Sequence, residues 1–259
     1  MQDCKNPIGR VHSIETLGAL DGPGLRYIVF LQGCPLRCRY CHNPDSWETD
    51  TGTLTTVDEQ VDDILRYKSY LTGGVTISGG EPLFQADFVA ALIHACHERG
   101  GLHCAVDTSG AMDPASVSNA VDAADLILLD IKAFDDQTAL SLCGTNTKNA
   151  WSLLAYCEQT KKPVWIRHVL VPGETVFEKN SNGDIFLTEK EFLDGNPQIT
   201  EGAARLAKYD CIERIDLLPF HKLGEFKWEN MGIPFTLKDT PEPLESTAVW
   251  AARAFARQE

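Results

Sequence analysis

The sequence predicts an α/β fold built on a parallel sheet. Three observations lead there. Strand-like apolar runs alternate with helical patterns six times along the chain. The connections have the lengths that parallel crossovers require. Most runs end at a glycine or a polar group, where parallel α/β folds carry their chemistry.

Taken in order, Leu25–Leu31 is the first strand, rich in β-branched and aromatic residues. Thr56-Val57-Asp58-Glu59 is a capping box and opens a helix. Val57, Val61, Ile64, Leu65 and Leu71 mostly keep helical spacing behind it. Val75–Ser78 is a short strand that stops at Gly79-Gly80. Gln85 to Arg99 is a helix stopped by Gly100-Gly101. Leu102–Val106 is a strand, and Asp113-Pro114 begins a helix over 115–124. Leu126–Ile131 is an apolar run of the kind buried parallel strands show. A helix over 149–159, a strand over 163–171, a helix over 200–208, a strand over 212–218 and a closing helix over 245–257 complete the series. A whole or partial α/β barrel and a doubly wound sheet all fit this pattern.

The 259 residues, 43% apolar and 23% charged, form a single domain with ample core. No apolar run reaches the length of a membrane span, and Met1 to Arg10 lacks the apolar core of a secretory signal. Nine cysteines without such a signal indicate a reducing cytoplasm. The net charge of −14 speaks against nucleic acid. Residues 1–42 nevertheless carry Lys5, Arg10, Arg26, Arg37 and Arg39 against Asp3, Glu15 and Asp21, a net of +2. This collar reads either as neutralisation of a thiolate-rich site or as a docking face for an acidic electron carrier.

Within the collar lies Cys34-Pro35-Leu36-Arg37-Cys38-Arg39-Tyr40-Cys41-His42, spaced C-x₃-C-x₂-C after Gly33. A tight thiol-rich loop after a strand suits an iron–sulfur cluster. Three thiolates on four irons leave one iron open, as a catalytic metal requires. A structural zinc knuckle is the alternative, but zinc favours a second C-x₂-C pair downstream, and none exists. The other cysteines, Cys4, Cys96, Cys104, Cys143, Cys157 and Cys211, are scattered.

Other strand ends are polar too. Ser78-Gly79-Gly80-Glu81-Pro82 lets backbone approach a ligand and offers a carboxylate to an ammonium, or is a plain strand-to-helix turn. Asp107-Thr108-Ser109-Gly110 and Asp130-Ile131-Lys132 end the third and fourth strands. Strand alternation places Asp130 and Lys132 on one face. Arg167 is expensive to bury unpaired and could clamp a carboxylate or a ribose. His221 follows the sixth strand.

At the cysteine motif, with Tyr40 in its aromatic position, the sequence resembles the radical S-adenosylmethionine enzymes. Asp21-Gly22-Pro23-Gly24-Leu25-Arg26, Gly33-Cys34 and Cys41-His42-Asn43-Pro44 resemble the activases of glycyl-radical enzymes within them. The likeness runs from Ile8 to about Trp228 and is closest to the activases of pyruvate formate-lyase. Val164–Arg167 and Lys222–Trp228 carry it beyond the cofactor motifs.

That resemblance implies a partial (β/α)₆ barrel, open on one side. It implies a [4Fe-4S] cluster on Cys34, Cys38 and Cys41, with S-adenosyl-L-methionine at the open iron. Tyr40, Cys41, His42, Gly79, Gly80, Glu81, Asp130, Ile131, Lys132, Arg167 and His221 are its expected contacts. Asp107, Thr108, the Leu128 carbonyl and Asp130 are the expected ligands of a monovalent cation, Na⁺ or K⁺. No side chain need act as acid or base. The protein substrate implied is pyruvate formate-lyase, the reductant a flavodoxin or ferredoxin, and the enzyme a monomer.

Activases of other glycyl-radical enzymes form one alternative. They carry cysteine-rich insertions between the first two motifs, and residues 43–95 contain no cysteine. A non-catalytic metal-binding module is the other. One departure from the family stands out: residues 174–201 form a longer segment with a net charge of −5. It reads as a solvated excursion or as a lid or docking element.

Overall fold

The computed structural model describes residues 6–256. Asp3, Cys4 and Lys5, and Arg257 of the closing helix, lie outside the described residues. The strands are β1 (Ile8–Gly18), β2 (Arg26–Leu31), β3 (Thr53–Thr56), β4 (Gly74–Gly79), β5 (Cys104–Thr108), β6 (Leu126–Asp130), β7 (Val164–Leu170) and β8 (Ile212–Pro219). They form one sheet in the order β3-β1-β2-β4-β5-β6-β7-β8. From β2 to β8 every pairing is parallel, which makes the six-stranded part an open, partial barrel. β1 runs antiparallel to both β2 and β3 at one edge.

The helices between parallel strands are α1 (Val57–Arg66), α2 (Ala86–Gly100), α3 (Pro114–Ala123), α4 (Asp136–Cys143), α5 (Lys148–Thr160), α6 (Glu189–Gly195) and α7 (Pro197–Leu206). After β8 come α8 (Glu225–Asn230) and α9 (Glu245–Ala256). The start signals act as expected. Thr56 and Glu59 cap α1 reciprocally, and Asp113 caps α3 with Pro114 in its first turn. Helix α1 stops at Arg66, and Leu71 reaches the core from the turn beyond it.

Strand alternation separates two environments. Tyr27, Val29, Leu31, Val75, Ile77, Val106, Ile127, Leu129, Val164 and Ile166 belong to the large core shared with the helices. The alternate residues, facing inward, combine apolar side chains such as Ile28, Leu126 and Leu128 with Arg26, Thr76, Ser78, Asp107, Asp130 and Arg167. Fully buried Arg26 plugs this lumen. It donates to Thr76 Oγ1 (2.5 Å), to the Pro23 carbonyl (3.0 Å) and to the carbonyls of Gly73 and Val75. Burial lowers its pKa to about 10, so the guanidinium stays charged at neutral pH. The Asp21–Gly24 lead-in packs here too. A Cβ on Gly73 would lie 1.7 Å from the Pro23 carbonyl oxygen.

The acidic segment departs from the expected solvated excursion. Its tip is exposed, but Val176, Phe192, Asn196 and Ile199 are buried, and Phe192 and Ile199 join the main core. Asn196 fastens the segment by bonding both ways with the Phe177 backbone, at 2.6 and 2.8 Å.

Candidate active site at the strand ends

The loop after β2 carries Cys34, Cys38 and Cys41, all free thiols, in a second apolar cluster with Leu36, Tyr40, Trp47, Phe220 and Trp228. Backbone bonds fix it on several sides. Gly33 N donates to the Ser46 carbonyl (2.8 Å), Arg37 N to that of Cys143 (3.1 Å) and Arg39 N to that of Leu142 (2.8 Å). Arg37 Nη1 reaches the carbonyls of Cys34 (2.7 Å) and Leu36 (2.8 Å), so it ties the loop together as well as charging its surface. Burial pushes the Cys34 thiol up to about 12 and Cys41 to about 11. A contact with Cys143, together with burial, pushes Cys38 well above its ordinary value.

Such thiols are poor free nucleophiles, and bound iron would stabilise their thiolates. Among the described residues one trio of candidate ligands converges within 4.8 Å, and it is His97, Cys104 and Asp125 rather than the loop thiols. A single tetrahedral zinc needs closely gathered sulfurs. In a four-iron cluster each thiolate caps a different iron, so the wider placement fits that group.

Beside this loop, β4 ends at Gly79-Gly80. A Cβ on Gly80 would lie 2.5 Å from the Gly33 carbonyl oxygen and 2.9 Å from Cys34 Cβ, so only glycine lets these backbones meet. Glu81 is fully buried and its carboxylate points to β5. It accepts from Leu83 N (3.1 Å), Thr108 Oγ1 (2.6 Å), Ser109 N (3.0 Å) and Ser109 Oγ (2.5 Å). Burial raises its pKa, and the Ser109 and Thr108 donors oppose that rise.

Asp130 and Lys132 do share a face and form an ion pair, with Lys132 Nζ 5.4 Å from the centre of the Tyr40 ring. Burial disfavours the ammonium, but Asp130 leads the neighbours that outweigh it, and its pKa rises well above the ordinary value. Asp130 Oδ1, Tyr40 Oη and His221 Nδ1 are buried with no hydrogen-bond partner among the described residues. Three orphaned polar atoms at one end of a barrel invite a polar ligand. The His221 ring lies 4.2 Å from that of His42, whose pKa burial lowers.

Arg167 is paired inside the lumen. Its Nη1 lies 3.3 Å from Asp21 Oδ1 and 3.4 Å from Asp107 Oδ2, and Asp107 also accepts from Ser78 Oγ (2.8 Å). The expected cation ligands are near neighbours, since Asp107 pairs with Leu128 across β5 and β6. Thr108 is engaged by Glu81, Asp107 by Ser78 and Arg167, and Asp130 by Lys132, which leaves Asp130 Oδ1 unengaged.

Sequence reasoning missed part of this site. Trp228 Nε1 donates to the Cys41 carbonyl (2.8 Å), and Lys227 Nζ to Asn43 Oδ1 (2.8 Å). Helix α8 therefore buttresses the thiol loop, which gives 222–228 a role in holding the site. The basic collar also shrinks. Arg26 is buried and Arg39 is paired with Glu174 at 2.7 Å, which leaves Arg37 exposed beside the thiols. A hollow of about 780 Å³ is lined wholly by the acidic segment, including Phe177, Ile185, Phe186 and Leu187.

Residues 28–179 match the Radical SAM superfamily, the class that the open barrel and its strand-end thiol loop define. The chain is 41% identical over 254 residues to a pyruvate formate-lyase-activating enzyme of Staphylococcus aureus, covering 94% of this chain and 93% of the relative. It is 36% identical over 253 residues to that of Listeria monocytogenes, covering 94% of each. The chain belongs to the pyruvate formate-lyase-activating enzyme family of the Radical SAM superfamily. Among solved structures, a radical SAM methyltransferase from Sphaerobacter thermophilus superposes with a TM-score of 0.57 at 16% identity, over 90% of this chain and 64% of that one. At that identity the likeness is one of fold.

Proposed function

We propose that this chain activates a pyruvate formate-lyase by radical S-adenosylmethionine chemistry. One observation carries the reading: three free thiols on one strand-end loop, Cys38 buried and Cys34 and Cys41 half-buried, spread more widely than a single metal ion requires. When bound, a reduced [4Fe-4S] cluster supplies one electron to the sulfonium of S-adenosylmethionine, breaking its S–C5′ bond so that a hydrogen atom can be taken from a glycine Cα of the lyase.

The chain's own residues hold, orient and exclude water. Cys34, Cys38 and Cys41 hold the cluster. Gly79, Gly80 and the backbone of Glu81 receive the amino group of the cofactor, because the Glu81 carboxylate braces β4 against β5. Asp130 Oδ1, Ile131 and Lys132 face its ribose and carboxylate. His42 and His221 offer ring faces and the His221 Nδ1 atom to its base. Arg167 keeps Asp21 and Asp107 compensated inside the lumen. A monovalent cation, Na⁺ or K⁺, sits by Asp107 and Asp130, where it would satisfy Asp130 Oδ1.

A flavodoxin or ferredoxin supplies the electron, and exposed Arg37 is a collar charge beside the thiols to meet it. The enzyme works as a cytoplasmic monomer. No helix among the described residues is long and apolar enough to cross a membrane.

The test is anaerobic incubation of cluster-loaded protein with a one-electron reductant and S-adenosylmethionine. Methionine and 5′-deoxyadenosine should form together. A full cluster that leaves the cofactor intact under reduction would contradict the reading.

A further inference from the structure

Three metal-binding side chains from three elements meet at the other end of the strands from the thiol loop. His97 lies in the last turn of α2, Cys104 begins β5, and Asp125 immediately precedes β6. One ligand atom from each lies within 4.8 Å of the other two. The meeting is built into the backbone. Helix α2 ends at Gly101, whose left-handed φ of 56° turns the chain toward β5. Cys104 N donates to Asp125 Oδ2 (2.7 Å) and Asp125 N to the Cys104 carbonyl (2.8 Å), which locks the two residues together. The same Oδ2 atom lies 2.8 Å from His97 Nε2. Cys104 is fully buried, whereas the His97 and Asp125 side chains are 34% and 38% exposed. The cluster therefore has a dry sulfur floor and one face open to solvent. A histidine–aspartate hydrogen bond alone does not call for a thiol against both groups.

We propose that His97, Cys104 and Asp125 bind one zinc ion, with water as its fourth ligand. A set of one sulfur, one imidazole nitrogen and one carboxylate oxygen suits zinc, whereas magnesium and calcium take oxygen alone. Ligand atoms around a tetrahedral zinc lie roughly 3.3–3.8 Å apart. The His97–Asp125 pair therefore opens by about half an ångström to admit the ion, and the Cys104 sulfur is already within reach. The ion ties the end of α2 to the starts of β5 and β6. No loop thiol takes part, so the inference stands independently of the cluster reading above.

The experiment is anaerobic dialysis of cluster-loaded enzyme against zinc, which keeps the loop thiols engaged. Zinc and iron are measured on the same samples, and the bound zinc is characterised by X-ray absorption at its own edge. The wild type should hold one zinc per chain with its iron unchanged. The spectrum should show a single sulfur at about 2.3 Å among nitrogen and oxygen ligands. Asp125→Asn, which can still accept from Cys104 N, and His97→Gln should each weaken zinc binding by more than roughly 100-fold, since loss of a mere outer-shell partner already costs about 10- to 100-fold. With free zinc a hundredfold above Kd, the Tm of the wild type should rise by roughly 5–10 °C, and that of either variant far less. Wild-type enzyme that keeps its cluster and takes up no zinc would overturn the proposal and leave a hydrogen-bonded pair. Zinc held equally by both variants, or a spectrum with three sulfurs, would overturn it too, because the ion would then lie elsewhere.

Discussion

Cys38→Ala should yield a chain that folds but holds no intact four-iron cluster and cleaves no S-adenosylmethionine. Cys38 sits at the centre of the loop, anchored by the bond from Cys41 N to its carbonyl (3.0 Å) and by the straps on Arg37 and Arg39. Those backbone bonds survive the substitution, so the loop persists while one iron loses its thiolate. Cys96→Ala, Cys157→Ala and Cys211→Ala should keep cluster and activity. Cys96 and Cys157 are buried in the main core and Cys211 packs against its edge, away from the loop. Each buried change removes one sulfur from packed surroundings and costs about 1 kcal/mol. Iron analysis with an assay for methionine separates the two groups. Cluster retention by Cys38→Ala, or its loss in Cys157→Ala, would overturn the ligand assignment.

Glu81→Gln should be the most damaging change that leaves the thiols untouched. Two carboxylate oxygens serve four donors, two of them backbone N–H groups on different strand-end loops. The amide replaces one oxygen by an NH₂ group. A hydroxyl opposite it can rotate and accept, but the backbone N–H of Leu83 or Ser109 cannot. One buried donor is left without a partner and charge-assisted bonds are lost, a cost of about 2–4 kcal/mol. For a chain of this size that lowers Tm by roughly 5–12 °C. The glycine turn loses its brace, so cofactor binding should weaken alongside. Thermal melting and a cofactor-binding titration read both effects. Because glutamine mimics a protonated glutamate, an unchanged Tm would mean that Glu81 is carried as the neutral acid.

Much of the site was legible because it is local. The thiol spacing, the glycine turn and the Asp130–Lys132 pair each lie within a few residues, where spacing and strand alternation fix relative positions. The six parallel strands were legible for the same reason. What could not be read depends on distant segments meeting. Nothing beside Cys143 marks it as lying against the thiol loop, because α4 brings it there only after four further strands have formed. The pairing of Arg167 with Asp21, and of Trp228 with the Cys41 carbonyl, spans most of the chain. Strand β1 gave no signal because Ile8, Ile14 and Leu17 point to solvent while Val11 is buried, which defeats a simple alternation. The collar charge misled because formal charge carries no burial: Arg26, counted as surface, plugs the barrel.

The central claim is that these elements place a radical on a partner protein. The direct measurement is electron paramagnetic resonance of a pyruvate formate-lyase mixed anaerobically with cluster-loaded enzyme, reductant and S-adenosylmethionine. The account predicts a glycyl radical signal on the lyase that needs all three components and is absent with Cys38→Ala. Cleavage of S-adenosylmethionine with no radical on the lyase would contradict it.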